Sequence, residues 1–399
     1  MNTLYCRLYQ NVMKLAVNFL SWREPKTIVG ENKTGEIGKL IKSLGYSNVL
    51  IVTDQMLRSL GLLELMIKGL DEEKITYSFY DNIKPNPTIY NVEEGLEIYK
   101  TNMCQCMIAF GGGSVMDTAK TVGARVARPN KSVAKMRGQL KIRKKIPDII
   151  AVPTTAGTGS ETTLAAVITN PDKHDKYAIN DTVLIPSYAV LDAMVTVKLP
   201  QKVTSTTGMD ALTHAVEAYI GNSNTKRTRE KAINAVKLVF TYLYRAYENG
   251  NDIEARENMQ IASYDAGVAF TRAYVGYVHA LAHALGGYYG TPHGLANAVL
   301  LPYVLEKFGP KAYKRLAELY DVVKPNENKS NEAKAKSFIL MIKELNKKMN
   351  IPLTIHDLKK EDIHNLALHA AKEGNPLYPV PRIFKLKEFE EVYEQVLEK

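Results

Sequence analysis

The sequence predicts an α/β domain with a mostly parallel sheet, followed by an all-helical domain. Up to about residue 200, short apolar runs alternate with helical patterns of roughly ten to fifteen residues, which is typical of βαβ units. After Pro200 the apolar residues recur with the period of a helix, and no run is typical of a strand. The predicted domains are residues 1–199 and 200–399.

The predicted elements follow from these patterns in chain order. Strands are expected at residues 48–53, 75–80, 107–110 and 149–153, with helices at 88–101 and 114–126 between them. In the second half, helices are expected at residues 204–220, 228–248, 253–289 and 333–349. With 45% hydrophobic residues, the chain can bury a sizeable core.

Residues 1–24 are expected to form a helical extension of the first domain. Its apolar residues fall at helical spacing: Leu8, Val12, Leu15, Ala16 and Phe19. We therefore expect an amphipathic helix that packs on the body of the protein or on a partner subunit. Lys14 and Asn18 interrupt the apolar run and no small-residue cleavage site follows, which argues against a signal peptide. No stretch is long and apolar enough to predict a membrane span.

The charge and cysteine content of the chain limit the classes of binding partner and the compartment that we expect. The net charge is +10, with basic residues concentrated at Lys131, Lys135, Arg137, Lys141, Arg143, Lys144 and Lys145. That segment has no interleaved aromatic residues, so a solvated basic loop is favoured over a nucleic-acid interface. The three cysteines form no disulfide framework, which predicts a cytoplasmic protein.

A glycine-rich turn follows the strand run at residues 107–110. Gly111 to Gly113 would let a phosphate approach the backbone at the start of a helix, where free N–H groups favour an anion. The candidate contacts are Gly112, Gly113, Ser114 and Asp117. Alternatively, Ser114 and Asp117 only cap the helix in a capping-box arrangement. The spacing is not the G-x-G-x-x-G of a standard dinucleotide turn.

Two further polar features follow strand runs, at the sheet edge where ligands bind in open α/β folds. Thr154, Thr155 and Thr158 lie in a loop that is rich in glycine and hydroxyl groups, which favours a second cofactor contact. Asp54 ends another strand and could accept the hydroxyls of an adenosine ribose. Its alternative role is to cap the following helix.

The helical half contains residues with metal-ligand spacing. Asp210 and His214 lie four apart, as do His279 and His283, so each pair shares one helix face. His293 follows in a turn. One carboxylate and three imidazoles suit Fe²⁺, Zn²⁺, Ni²⁺ or Mn²⁺, and the ligand types do not choose among them.

Four segments together resemble the iron-containing (group III) alcohol dehydrogenases, a family that includes lactaldehyde reductases, 1,3-propanediol dehydrogenases and butanol dehydrogenases. They are GGGSVMDTAK (111–120), PTTAGTGSE (153–161), GMDALTHAVEAYI (208–220) and HALAHALGGYYGTPHGLANAVLLP (279–302). The resemblance implies a dehydroquinate synthase-like fold. The first twenty or so residues extend beyond many members of the family.

The resemblance also assigns roles. Asp210, His214, His279 and His293 match the iron ligands, and His283 matches a histidine near the nicotinamide that could relay a proton or only orient the site. The positions that match cofactor contacts are Asn86, Gly112, Gly113, Ser114, Asp117, Thr154, Thr155, Thr158 and Lys176. Asp54 lies where members that prefer NAD carry an acidic residue.

The implied function is a reversible hydride transfer between NAD and a small neutral alcohol or diol, with the aldehyde or ketone as the other partner. Fe²⁺ is the expected metal, and a zinc-dependent polyol dehydrogenase on the same fold is the main alternative. A metal-dependent hydrolase and a basic nucleic-acid-binding protein explain fewer of the motifs. We expect a homodimer or a higher homo-oligomer, with no nucleic-acid or membrane partner.

Overall fold

The computed structural model describes residues 2–173 and 175–398. The chain forms two compact units. The α/β unit is Ser21–Lys198, and the helical unit combines Met1–Leu20 with Leu199–Lys399. Residues 1–24 are predicted to extend the first domain, whereas the structure groups the first twenty residues with the helical half.

Helix α1 (Thr3–Ala16) explains this grouping. Arg7 donates hydrogen bonds to the carbonyl oxygens of Val380 and Pro381, and Gln10 donates to the carbonyl oxygen of Tyr378. The polar side of the helix therefore faces the helical unit. The apolar side is exposed, and its large side chains are Leu4, Leu8, Val12, Leu15 and, just beyond the helix, Phe19.

The α/β unit contains nine strands and five α-helices among its described residues. The strands are β1 (Lys26–Val29), β2 (Asn48–Val52), β3 (Thr76–Tyr80), β4 (Cys106–Gly111), β5 (Gly138–Gln139), β6 (Ile149–Pro153), β7 (Ala165–Asn170), β8 (Asp175–Asn180) and β9 (Tyr188–Leu191). The helices are α2 (Ile37–Ser43), α3 (Gln55–Ser59), α4 (Glu64–Glu72), α5 (Ile89–Thr101) and α6 (Gly113–Ala127).

Six of the strands form a parallel sheet in the order β1-β9-β6-β4-β2-β3, which confirms the predicted parallel sheet. Strand β4 is buried on both faces, since Met107 and Ala109 pack in one apolar cluster while Ile108 and Phe110 pack in another. Strands β5, β8 and β7 form a second, mixed sheet. Strands β2, β4 and β6 are neighbours, so the segments that follow them meet at one edge of the main sheet.

The start of α6 differs from its prediction. The helix begins at Gly113 with Gly112 as its N-cap, and no side chain caps it. The alternative role considered for Ser114 and Asp117, which was to cap this helix, is therefore not found. The helix starts one residue earlier, and the Asp117 carboxylate instead accepts hydrogen bonds from Ser160 Oγ and the Val167 amide, both at 3.0 Å.

The rest of the helical unit consists of nine further α-helices among the described residues. They are α7 (Gln201–Ile220), α8 (Lys226–Glu248), α9 (Ile253–Ala273), α10 (Tyr277–Tyr289), α11 (His293–Phe308), α12 (Pro310–Val323), α13 (Asn331–Lys348), α14 (Ile363–Gly374) and α15 (Leu386–Gln395). Helices α7, α8 and α9 pack against one another, and α10 packs against α11 and α14.

The predicted helix at residues 253–289 is divided in two. The break lies between Ala273 and Tyr277, where Tyr274 has a φ of 67°. Glycine at position 276 leaves room for the buried Glu217 side chain, because a Cβ there would lie 2.6 Å from Glu217 Oε1. Across residues 2–173 and 175–398, no helix combines the length and apolar character needed to cross a membrane.

Candidate metal centre and cofactor loops

Three helices bring four potential ligands together in the helical unit. Asp210 and His214 lie on α7, His279 lies in the first turn of α10, and His293 is the first residue of α11. One ligand atom from each lies within 4.8 Å of the other three. The clustering predicted from the two i,i+4 spacings is thus present, although His283 is not among these four.

The close approach of α11 to α7 depends on Gly294. A Cβ at this position would lie 2.4 Å from the Thr206 carbonyl oxygen, so glycine allows the two backbones to meet. The contact brings His293 Nε2 to 3.4 Å from Asp210 Oδ1. The side chains of Asp210 and His279 are almost fully buried, while that of His293 is 39% exposed. The cluster therefore has one open side.

The electrostatics of the cluster favour a cation. Burial alone would raise the pKa of the Asp210 carboxyl, but the surrounding imidazoles of His214, His293 and His279 hold it well below its usual range. His279 Nε2 is buried, lies 3.6 Å from Asp210 Oδ1 and has no hydrogen-bond partner among the described residues. A carboxylate and a buried ring nitrogen that face one point fit a divalent metal ion.

Glu217 orients His279. The Glu217 side chain is 1% exposed, and its Oε2 lies 2.6 Å from His279 Nδ1. The same carboxylate accepts hydrogen bonds from the Gly276 and Val278 amides, at 2.8 and 2.7 Å. Because a carboxylate only accepts, Nδ1 carries a ring hydrogen, so in the neutral form of His279 it is Nε2 that has a lone pair directed at the cluster.

Asn297 contacts the cluster from α11. Its Nδ2 donates to Asp210 Oδ1 at 2.7 Å and lies 3.1 Å from His293 Nε2. The residue is fully buried. Asn297 therefore holds the carboxylate and the exposed histidine in a fixed relation to each other.

His283 lies beside the cluster and forms its own network. Its ring stacks on His293 with centroids 5.1 Å apart, and its Nδ1 lies 2.6 Å from Glu373 Oε1. Tyr378 donates its hydroxyl hydrogen to the same oxygen at 2.8 Å. Since the carboxylate fixes the hydrogen on Nδ1, Nε2 of a neutral His283 is the nitrogen that can accept a proton.

In the α/β unit, the predicted cofactor loops lie together. Gly111 on β4 pairs with Pro153 on β6, so the two loops leave neighbouring strands at the same edge. A Cβ on Gly112 would lie 3.5 Å from Thr155 Oγ1, and a Cβ on Gly113 would lie 3.3 Å from Thr158 Cγ2. Thr154 is buried and donates its amide hydrogen to the Gly111 carbonyl oxygen.

The remaining candidate contacts occupy the same unit. Asp54 caps α3, since its Oδ1 accepts the Leu57 amide at 2.9 Å, so the capping role considered for it is present. Asn86 has a φ of 60° and accepts a hydrogen bond from Lys176 Nζ at 2.8 Å. Burial lowers the pKa of Lys176. The structure therefore brings Asn86 and Lys176 together, although they are ninety residues apart.

Comparison with known proteins identifies the family. The profile described as "Iron-containing alcohol dehydrogenase" matches residues 24–193, and the profile of the C-terminal part of the Fe-containing alcohol dehydrogenase family matches residues 204–397. The chain belongs to the iron-containing alcohol dehydrogenase family. The resemblance stated from the four sequence segments is confirmed.

Relatives within the iron-containing alcohol dehydrogenases match most of the chain. Alcohol dehydrogenase 4 from Schizosaccharomyces pombe is 41% identical over 90% of this chain and 86% of its own length. The NAD-dependent methanol dehydrogenase of Bacillus methanolicus is 37% identical over 88% of this chain and 92% of its own length. A crystal structure of 1,3-propanediol oxidoreductase covers 95% of this chain and all of that one, with a TM-score of 0.91 and 34% identity.

Three residues of this iron-containing alcohol dehydrogenase contact the site histidines but are not among the predicted site residues, namely Glu217, Asn297 and Glu373. Two of them could have been found by spacing. Glu217 lies seven residues after Asp210, two helical turns along the same helix, and Asn297 lies four after His293. Glu373 could not be found by spacing, because it lies ninety residues after His283 and on a different helix.

Proposed function

We propose that this chain is an iron-dependent, NAD-linked alcohol dehydrogenase that interconverts a small neutral alcohol or diol with its aldehyde or ketone. The observation that carries the proposal is the cluster of Asp210, His214, His279 and His293, whose ligand atoms lie within 4.8 Å of one another. Family membership and the glycine turn of the α/β unit support the same reaction.

The four residues would hold the metal, and their neighbours would fix them in place. When bound, a divalent cation supplies a Lewis acid that lowers the pKa of the substrate hydroxyl. Asp210 would provide the one negative charge among the ligands, and the hydrogen bond from His279 Nδ1 to Glu217 leaves the opposite ring nitrogen free to hold the metal. The substrate would approach from the side of His293, the ligand that is 39% exposed.

His283 would carry the hydroxyl proton to water. Glu373 holds the hydrogen on Nδ1 of a neutral His283, so Nε2 is the ring nitrogen that can accept a proton. The His283 side chain is 42% exposed, which allows the proton to pass on to solvent.

The loops after β2, β4 and β6 would bind NAD. The free amides at the start of α6 suit a pyrophosphate, since Gly112 and Gly113 put no side chain between the backbone and the ligand. The hydroxyls of Thr154, Thr155 and Thr158 border the same turn. Asp54 would accept the ribose hydroxyls, and Asn86 with Lys176 would contact another part of the cofactor.

The substrate is proposed to be small and uncharged, because no basic cluster lies in the sequence motifs that carry the metal ligands. Short alcohols and diols should be oxidised, whereas their phosphorylated or carboxylated analogues should be poor substrates. A strong preference for a charged analogue would contradict this assignment.

The test combines metal loading with an alcohol screen. Metal-free protein reconstituted anaerobically with Fe²⁺ should reduce NAD with at least one short alcohol or diol, and protein loaded with Zn²⁺ should be less active. His279→Ala should bind little metal and lose turnover, while the matched change His369→Ala, at an exposed histidine on α14, should do neither. Full activity with zinc and none with iron would favour the polyol dehydrogenase alternative.

We further propose a cytoplasmic homo-oligomer. Cys6, Cys104 and Cys106 are free and buried, which suits a reducing compartment. The exposed apolar side of α1 supports self-association, because Leu8, Val12 and Leu15 repeat at the alternating four- and three-residue spacing by which paired helices pack. A second copy offers the same spacing.

A further inference from the structure

The net charge of the chain comes from one short segment. Residues 118–147 contain ten of the 52 lysine and arginine residues and no aspartate or glutamate. The other 42 basic residues are equal in number to the 42 acidic residues, so this segment alone accounts for the net charge of +10. A solvated face of mixed charge does not explain such a concentration.

Three of the ten basic side chains serve the α/β unit itself. Lys120 is buried and donates to Ser160 Oγ and to oxygens of Thr163. Arg125 pairs with Glu93, and Arg137 pairs with Asp175. Five of the other seven line a single pocket, namely Arg128, Lys131, Lys141, Arg143 and Lys144.

The pocket has two walls that are tied together. The Arg128 Nε donates to the Ile142 carbonyl oxygen at 2.6 Å, and Lys131 Nζ donates to the Lys141 carbonyl oxygen at 2.8 Å. The second wall is anchored from behind by Asp181, a buried residue whose Oδ2 accepts the amides of Ile142 and Arg143, both at 2.9 Å. Hydrogen bonds thus fix the backbone of both segments that carry the basic side chains around the pocket.

The positive charges of the pocket have few negative groups near them. The pocket has a volume of about 620 Å³, and no acidic residue is found among the described residues that line it. The carbonyl oxygens of Arg128, Pro129 and Lys131, just past the end of α6, would repel an anion, but Arg125 NH1 donates to all three. Several positive charges around one concavity repel one another, and an anion that binds between them reduces this repulsion.

We propose that this pocket binds a small molecule that carries several phosphate charges. Arginine and lysine are the side chains suited to phosphate, and the terminal nitrogens of Arg128 and Arg143 make no hydrogen bond to another described residue. The volume fits one small ligand, since such pockets usually measure roughly 300–1,000 Å³. A nucleic acid would need an extended basic surface, whereas these five basic side chains gather around one concavity.

The site is separate from the glycine turn. The turn precedes the first residues of α6, and the pocket begins at Ala127, the last residue of the same helix. A helix of 15 residues extends for about 22 Å. The pocket and the turn can therefore be occupied at the same time, and saturation with NADH should leave the pocket open.

The test uses the full chain, saturating NADH and inorganic triphosphate as the probe, with binding measured by titration calorimetry at two salt concentrations. One triphosphate should bind per chain, more weakly at higher salt. Lys141→Gln/Lys144→Gln should weaken binding at least tenfold. The matched control Lys135→Gln/Lys145→Gln removes the same charge from the same segment outside the pocket and should change binding less than twofold.

Four outcomes would overturn the proposal: no triphosphate binding by the wild type, an equal loss in both double variants, loss of binding on NADH saturation, or tighter binding of a short DNA duplex than of triphosphate. The equal loss would indicate general charge attraction, and the NADH effect would place the anion at the glycine turn. All four lysines are exposed, and none makes a side-chain hydrogen bond to another described residue, so both variants should keep the wild-type melting temperature.

Discussion

The Glu217 carboxylate links the metal cluster to the local backbone. This one side chain accepts hydrogen bonds from two backbone amides at the start of α10 and from the ring of His279. The three donors lie within residues 276–279. The start of the helix and the orientation of the ligand therefore depend on the same group. A carboxylate suits this place because it accepts from all three donors and donates to none.

We predict that Glu217→Gln weakens metal binding without unfolding the protein. The glutamine NH₂ would replace either Oε1, where it would face the Val278 amide, or Oε2, where it would face the Gly276 amide and His279 Nδ1. In the second case the ring hydrogen of His279 would move to Nε2, the nitrogen that faces the metal. Loss of a partner of this kind usually lowers metal affinity by roughly 10- to 100-fold. Competition between the protein and a chromophoric chelator for Fe²⁺ measures the effect.

The matched control is Glu318→Gln. Glu318 accepts a hydrogen bond from Tyr219 at 2.7 Å in the same unit and touches none of the four ligands. The control should bind Fe²⁺ like the wild type. Unchanged Fe²⁺ affinity in Glu217→Gln would show that Glu217 only holds the helix start.

A second prediction at this scale concerns Asp54. One of its oxygens caps α3, so a neutral residue that can still cap separates the two proposed roles. Asp54→Asn retains a capping oxygen and removes the charge that would face a 2′-phosphate. We expect the ratio of kcat/KM for NADP to that for NAD to rise by roughly tenfold or more, since like-charge contacts cost several kcal/mol. An unchanged ratio would leave Asp54 as a cap alone.

At the scale of elements, a buried network of hydrogen bonds joins α6, which begins at the glycine turn, to the residues that follow the second cofactor loop. Lys120 on α6 donates to Ser160 and Thr163, and Ser160 donates to Asp117 on the same helix. Burial raises the pKa of Glu161 to about 7 and lowers that of Lys120 to about 8. Glu161 Oε1 has no hydrogen-bond partner among the described residues, so its charge is poorly compensated.

The Glu161 environment predicts a pH-dependent stability. The folded state keeps the proton on Glu161 up to about pH 7, whereas the unfolded chain releases it near the ordinary glutamate pKa of 4.5. Between these values the folded state binds more protons, so stability falls as the pH rises. Relative to Glu161→Gln, the free energy of unfolding of the wild type should fall by roughly 1–3 kcal/mol from pH 5 to pH 8.

Urea denaturation of both proteins at pH 5, 6, 7 and 8 measures this difference. The exposed Glu64 offers a control, because Glu64→Gln should follow the wild type at every pH. If the difference between wild type and Glu161→Gln stays constant with pH, Glu161 is ionised throughout and Lys120 compensates its charge.

Elements could be predicted from the sequence where their signal is local. The strand at residues 48–53 and the helix at 88–101 agree with β2 and α5 to within a residue, because apolar runs and a Thr88 cap mark them. The division of α9 from α10 could not be predicted, since it depends on Glu217 from another helix. The exposure of the apolar side of α1 could not be predicted either, because helical spacing reveals an apolar stripe but not which side of the helix packs against the rest of the protein.

At the scale of the whole molecule, chemistry is divided between the two compact units. The proposed metal ligands all belong to the helical unit, and the proposed cofactor loops all belong to the α/β unit. The α1 helix belongs to the helical unit, although it precedes the α/β unit in the chain. Its polar contacts, such as that from Lys14 Nζ to the Asn222 carbonyl oxygen at 2.9 Å, attach it and leave its apolar stripe outward.

We predict that this stripe holds two copies of the chain together. Leu8 is 63% exposed, Val12 56% and Leu15 66%, and burying such side chains contributes roughly 1.5–3 kcal/mol each. In a symmetric dimer every residue of the stripe is used twice, so a short helix can supply a sufficient interface. Leu8→Gln/Val12→Gln/Leu15→Gln should therefore lower the mass measured by light scattering to that of a smaller assembly. The matched control replaces three exposed leucines outside the stripe, Leu340, Leu353 and Leu368, with glutamine and should leave the mass unchanged. Binding of the wild type to lipid vesicles, with loss of that binding but no change of mass in the α1 variant, would instead assign the stripe to a membrane surface.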